Sequence, residues 1–260
     1  MSQPCKDTMS IHVHKITDAC RDKDCIEDLR VYLTRSSQAL LDTASNVRVR
    51  QAELVHTYID VEPVAFDRNH YCVDVTFFYR ILADATVGNA RPVALVGCAT
   101  FTKRAVLCGE DSRAHIFRSD TVLHGPDGIT RQYANRPIAV VEVLDPMVLN
   151  SKVKDLCGKH HEETACQIPA PVTCLFDDEL IFNPERRRLF VSLGQFSIIR
   201  LERDAQLVVP VVDYAIPTKQ CCDSAGSAED PCEMFSRIPF PTQQFTPNGC
   251  DDQDDCGHHE

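Results

Sequence analysis

The stretch YCVDVTFFYRILADATV, Tyr71 to Val87, sets apolar side chains at nearly every second position. A period of two is the mark of a strand that turns one face inward. The same reading extends on both sides, to VRVRQAELVHTYIDV (Val47 to Val61) and RPVALVGCATFTKRAVL (Arg91 to Leu107), and back to the shorter LRVYL (Leu29 to Leu33). PIAVVEVLDPMVLNSKVKDL, Pro137 to Leu156, reads as a strand broken near Asp145-Pro146, because proline cannot donate to a ladder. Between the first strands, SSQALLDTASN fits either one helical turn or a broad loop. Gly109 to Arg136 is polar and turn-rich around HGPDG, with HIFR as a candidate short strand.

A further β region covers Pro171 to Thr218. Sliding it onto the first so that Phe182 falls on Phe66 also brings Leu189 onto Val73, Val191 onto Val75, Leu193 onto Phe77 and the pair Thr218-Lys219 onto Thr102-Lys103. Duplication explains this match, and so does the ease with which alternating sequences match one another. With 15 prolines and 10 glycines punctuating Val, Ile, Thr, Phe and Tyr-rich segments, the chain predicts a mostly β protein. Its expected architecture is two antiparallel, sandwich-like modules with flexible, cysteine-rich termini. The divisions are an arm over 1–27, a first β module over 28–156, a Cys/His loop over 157–170, the second β region over 171–219, and a linker, docking patch and acidic tail over 220–260.

The 260 residues are 43% hydrophobic, enough for a packed core. Against 38 acidic residues stand 27 basic ones, a net charge of −11 that disfavours nucleic acid phosphates and anionic membranes as partners. Part of the excess lies in the terminal DDQDDCGHHE, which reads as a solvated tail. No apolar run approaches the ~20 residues of a membrane span, and MSQPCKDTMSIHVHKI has no signal-peptide pattern. Cytoplasmic synthesis without general secretion is therefore expected. That expectation sits uneasily with 14 cysteines, since cytosolic thiols seldom form stable disulfides.

DACRDKDCIEDLRVYL, from Asp18, gathers Asp18, Asp22, Asp24, Glu27 and Asp28, oxygen donors that suit calcium. A calcium loop needs oxygen ligands at its third position and glycine at its sixth, where this sequence has Cys20 and Lys23, so the spacing does not fit a calcium loop. Zinc has its best candidate site in CGKHHEETAC, where Cys157, His160, His161 and Cys166 supply borderline and soft ligands, a solvated loop being the alternative; Cys250, Cys256, His258 and His259 of the tail are a weaker metal candidate. No other cofactor is indicated. Cys72 and Cys98 lie within apolar strands and read as buried, and Cys108 lies at a strand end. Cys5, Cys20, Cys25, Cys221, Cys222, Cys232, Cys250 and Cys256 sit in polar segments near the termini and read as accessible thiols placed for cross-linking. In MFSRIPF, the side chains Met234, Phe235, Ile238 and Phe240 form a docking patch for the protein's own body or for another subunit.

CRDKDCIEDLRVYL, VEPVAF, YCVDVTFFY, IPTKQCC and the closing DPCEMFSRIPFPTQQFTP resemble a family of cysteine-rich, mostly uncharacterised proteins of spore-forming clostridia, some of them similar to spore-coat proteins. The resemblance runs from about Cys20 to Pro247 and departs between Leu156 and Ala170. It carries no catalytic residues. It implies deposition on the forespore, where thiols kept reduced during synthesis are later oxidised. On these grounds the expected function is structural and not enzymatic: a self-associating, disulfide-cross-linked component of a spore coat or envelope, with itself and other envelope proteins as partners. The alternatives are a zinc-holding binding module centred on Cys157 to Cys166 and a cysteine-dependent enzyme.

Overall fold

The computed structural model describes residues 11–67, 69–88, 91–110, 115–116, 133–134, 136–156, 168–207, 218 and 231–245. Nine strands follow one another: β1 (Ile11–Leu33), β2 (Asn46–Pro63), β3 (His70–Thr86), β4 (Val93–Cys108), β5 (His115–Ile116), β6 (Tyr133–Ala134), β7 (Ile138–Val143), β8 (Met147–Asp155) and β9 (Arg187–Leu207). Helix α1 (Arg35–Thr43) fills the segment whose spacing left a turn or loop open, and α2 (Ala170–Thr173), α3 (Pro231–Ser236) and a 3-10 turn (Thr242–Phe245) complete the elements. The protein is mostly β, as the alternation predicts.

The main sheet has 7 strands in the order β2-β3-β4-β1-β9-β7, with β8 also on β9, and every pairing is antiparallel. β5 and β6 form a separate small hairpin. Strands of both predicted β regions thus share one sheet, and one core cluster joins Val31, Val49, Phe77, Leu95, Leu193 and Ile199 from five of them. A second, smaller cluster of Phe78, Cys98, Ile168, Val172, Phe176 and Leu180 packs on the other face of the sheet. One continuous sheet around the main core cluster takes the place of two separate sandwiches, because the sheet curls until its edges approach each other. There, Leu54 N–H at the irregularity of β2 donates to Asp145 Oδ1 at 2.9 Å. Asp145-Pro146 is the predicted break, separating β7 from β8 so that both pair with β9 in succession.

The internal match is only partly reflected in the fold. β9 begins within one residue of where the shift places the start of β3, and Leu189, Val191 and Leu193 face the core as Val73, Val75 and Phe77 do. However, the counterpart of the β3–β4 turn stays in strand to Leu207, paired with β1 through Ile11. The flanking strands also differ: β2 and β4 for β3, but β1 with β7 and β8 for β9.

Residues 11–27, read as an arm, are instead most of the longest strand. β1 pairs with β9 from Ile11 to Val31 with shifts at Ile16/Asp18 and Ile26/Leu29, where Asp28 takes a left-handed φ of 52°. Its pairing with β4 is limited to Tyr32–Cys98 and Leu33–Gly97. Gly97 permits this approach: a Cβ there would lie 2.7 Å from Val31 Cγ1 and 2.8 Å from the Tyr32 carbonyl oxygen. Away from that point β1 and β4 are joined by side chains. Cys108 N–H donates to Asp18 Oδ2 at 2.9 Å, and Lys15 Nζ to Glu110 Oε1 at 2.6 Å.

Candidate functional site

The seam between β1 and β4 contains the most distinctive chemistry among the described residues. From Cys20 onward β1 alternates cleanly, so Cys20, Asp22, Asp24 and Ile26 point inward and Arg21, Lys23 and Cys25 outward. The aspartates do not hold an arm in water: Asp22 is 4% exposed and Asp24 7%. The β1–β9 register sets Asp24 opposite Gln195 and Asp22 opposite Ser197. From β4 comes Lys103, 6% exposed, its Nζ against the Asp22 carboxylate and 2.7 Å from Asp24 Oδ1.

Two carboxylates thus face one ammonium where water is excluded, the arrangement in which charge pairs are most costly to desolvate and most strongly coupled. Around them the inner face is apolar and aromatic, with Phe77 and Val75 of β3 fully buried. Tyr79 O–H donates to Gln195 Oε1. Burial, then the Asp24 charge, push the Tyr79 phenol far above its ordinary range, and the Gln195 hydrogen bond only partly offsets them. Gln195 Nε2 and Ser197 Oγ are buried and meet no hydrogen-bond partner among the described residues.

On the outer face of β1 and β9 lies the predicted docking patch. Cys25 and Cys232 form a disulfide across a sequence separation of 207, fastening α3 to β1. Phe235 is 2% exposed and lies over Gly194, where a Cβ would lie 2.8 Å from its ring, and against the tilted ring of Phe196 at 4.8 Å between centroids. Phe240 meets Phe196 edge-on at 5.5 Å and Phe245 face-on at 5.2 Å. Lys23 completes the clasp: its ammonium lies 5.0 Å from the Phe235 centroid and donates to the carbonyls of Ser236 and, at 2.8 Å, Ile238. Partial burial lowers the Lys23 pKa. Of the patch, Phe235 and Phe240 therefore dock on their own chain, Ile238 is 41% exposed, and the Met234 side chain lies outside the described residues.

Three predicted cross-linking cysteines are already engaged within the chain: Cys25 with Cys232, and Cys20, which is disulfide-bonded and 1% exposed. These are corrections to the reading of accessible thiols. They arise because β1 is a central strand and α3 is stapled to it. Cys5, Cys221, Cys222, Cys250 and Cys256 lie outside the described residues, as do the zinc candidates Cys157, His160, His161 and Cys166 and, in the tail, His258 and His259. Among the described residues no group of three or more His, Cys, Asp or Glu is placed to hold a metal.

Exposed thiols occur instead at Cys108, the last residue of β4, and Cys174, which caps α2. Cys174 borders an open groove of about 540 Å³ with Phe176, Asp177 and Phe182. Cys98 is buried as expected, whereas Cys72 faces outward, half-buried, its thiol pushed up first by burial and then by Asp74.

Sequence reading missed Lys103, though a signal was there. In VALVGCATFTKRAVL the inward positions are Leu95, Gly97, Ala99, Phe101, Lys103, Ala105 and Leu107, and one lysine in such a series needs a buried partner. Asp22 and Asp24, in phase with Cys20 and Ile26, carried the matching half of the signal. Comparison with protein-family models, with curated proteins and with solved structures finds no match to this chain.

Proposed function

We propose that this protein is a structural component of a spore coat or envelope, held rigid by internal disulfides and joined to neighbouring molecules through its remaining thiols. The observation that carries the reading is the division among the described cysteines. Cys20, Cys25 and Cys232 are closed in disulfides, while Cys108 and Cys174 stand exposed as thiols. A chain that is stapled internally yet offers thiols at its surface suits assembly in a reducing compartment followed by oxidation in place. The spore location rests on the resemblance of the sequence alone. Self-association then runs through the outer surface, since Phe235 is spent on the protein's own sheet.

Oxidation of concentrated protein, followed by non-reducing and reducing gels, tests the linkage. Covalent multimers that collapse with reductant, and that diminish in a Cys108→Ser, Cys174→Ser variant, are the expected result. Protein that remains monomeric after oxidation overturns the linkage. Fractionation of sporulating cells tests the location: recovery with the spore envelope is expected, and confinement to the soluble mother-cell fraction overturns it.

A further inference from the structure

We propose that Lys103 and Asp22 condense to an intramolecular isopeptide bond between β4 and β1, with Asp24 carrying the proton. The geometry meets the requirements of that reaction. The Lys103 Nζ is in contact with the Asp22 carboxylate, a second carboxyl oxygen, Asp24 Oδ1, lies 2.7 Å from the same nitrogen, and all three side chains are at least nine-tenths buried. Each comes from a strand held by long ladders on its far side: β1 by β9, and β4 by β3 without a register shift. The reacting atoms are therefore positioned by the whole sheet, the condition under which an intramolecular step gains an effective concentration of roughly 10⁵ M or more.

Burial also chooses the reactive forms. Loss of water penalises an ammonium and a carboxylate alike and narrows the gap to the neutral amine and acid, which are the species that condense. With two carboxylates and one ammonium in the cluster, one proton passed from Lys103 to Asp22 leaves a neutral amine, the Asp22 carboxylic acid and the Asp24 carboxylate. The nitrogen lone pair of Lys103 attacks Asp22 Cγ, and a C–N bond forms. Asp24 takes the proton released by the nitrogen and delivers it to an oxygen of Asp22. The C–O bond then breaks with its electron pair on that oxygen, and one water departs. Ammonium plus carboxylate become amide plus water; nothing is oxidised or reduced, and Asp24 ends as it began. The product replaces a charge pair with a neutral amide and ties β1 to β4 where their backbone ladder has only Tyr32–Cys98 and Leu33–Gly97.

The test is intact-mass spectrometry of the full chain after complete reduction and alkylation, so that disulfides do not contribute. The parent is expected to be lighter than the formula mass of the fully alkylated chain by one water, about 18 Da. Its tryptic digest should contain a branched peptide joining the Asp22 and Lys103 segments. Lys103→Arg should have the full formula mass. Asp22→Asn should still condense, losing ammonia and giving a product of the parent's mass, while Asp24→Ala should keep the full mass. A parent of full formula mass that unfolds cooperatively in urea overturns the proposal and leaves a buried ion cluster. A water loss that persists in Lys103→Arg also overturns it, by placing the dehydration elsewhere. Water loss retained in Asp24→Ala overturns the role of Asp24. The decisive measurement is made on the parent, so a variant that fails to fold does not remove the test.

Discussion

Phe235 of α3 lies over Gly194 of β9, and a double-mutant cycle on the two tests whether that segment docks on its own sheet. Truncating Phe235, 2% exposed, to alanine removes a buried ring and should cost about 3 to 5 kcal/mol if the vacated site does not collapse. Gly194→Ala places a Cβ 2.8 Å from two ring carbons, so Phe235 must move. Overpacking of this kind costs about 1 to 3 kcal/mol. With the ring gone the methyl loses the three nearest atoms it would meet, and alanine in a strand interior is then favoured over glycine by roughly 0.5 to 1 kcal/mol. The substitution should therefore destabilise the parent and stabilise Phe235→Ala, a coupling on the order of 2 to 3 kcal/mol. Urea unfolding of the oxidised parent, both single variants and the double variant measures all four corners, provided the m-values agree. An equal effect of Gly194→Ala in both backgrounds would refute the docking, as would a stabilising effect in the parent.

The Cys25–Cys232 link closes a loop with a sequence separation of 207, so replacing both cysteines with serine should lower stability by roughly 5 kcal/mol at most on the chain-entropy account; an unchanged urea midpoint would contradict the link. Tyr79 keeps its proton in the folded state beyond the pH at which an unfolded tyrosine, near pH 10, loses it. Its contribution is therefore complete below about pH 10 and declines as pH rises further; Tyr79→Phe should remove that part of the alkaline slope in urea titrations. Asp145→Ala should speed amide hydrogen exchange at Leu54, whose N–H it now accepts, while Asp145→Asn, which keeps an acceptor, should restore protection; equal rates in both would show that the sheet edges are joined by other contacts.

Strand content and most strand positions were legible in the sequence, because alternation is a local property that each segment states for itself. Tyr71 to Val87 announced β3, Arg91 to Leu107 announced β4, and Asp145-Pro146 announced the interruption between β7 and β8. Buried Cys98 was legible on the same ground, and so was an apolar patch at Phe235 and Phe240. What that patch covers is decided by Gly194 and Phe196, residues of a strand whose place beside β1 no local pattern records.

The start of β1 shows where local reading ends. CRDKDC is charged throughout and reads as a solvated arm, yet in the fold it lies between β9 and β4 with its aspartates inside. Such a strand can be central only if a cation arrives from elsewhere, and Lys103, 79 positions from Asp24, supplies it. Alternation, turns and the proline break were determined by the sequence on its own, because each is fixed within a few residues. The pairings of Lys103 with Asp22 and Asp24, and of Cys25 with Cys232, were decided only by the tertiary structure. Burial changes the cost of an ion or the reach of a thiol, and burial depends on which distant strands come to lie side by side.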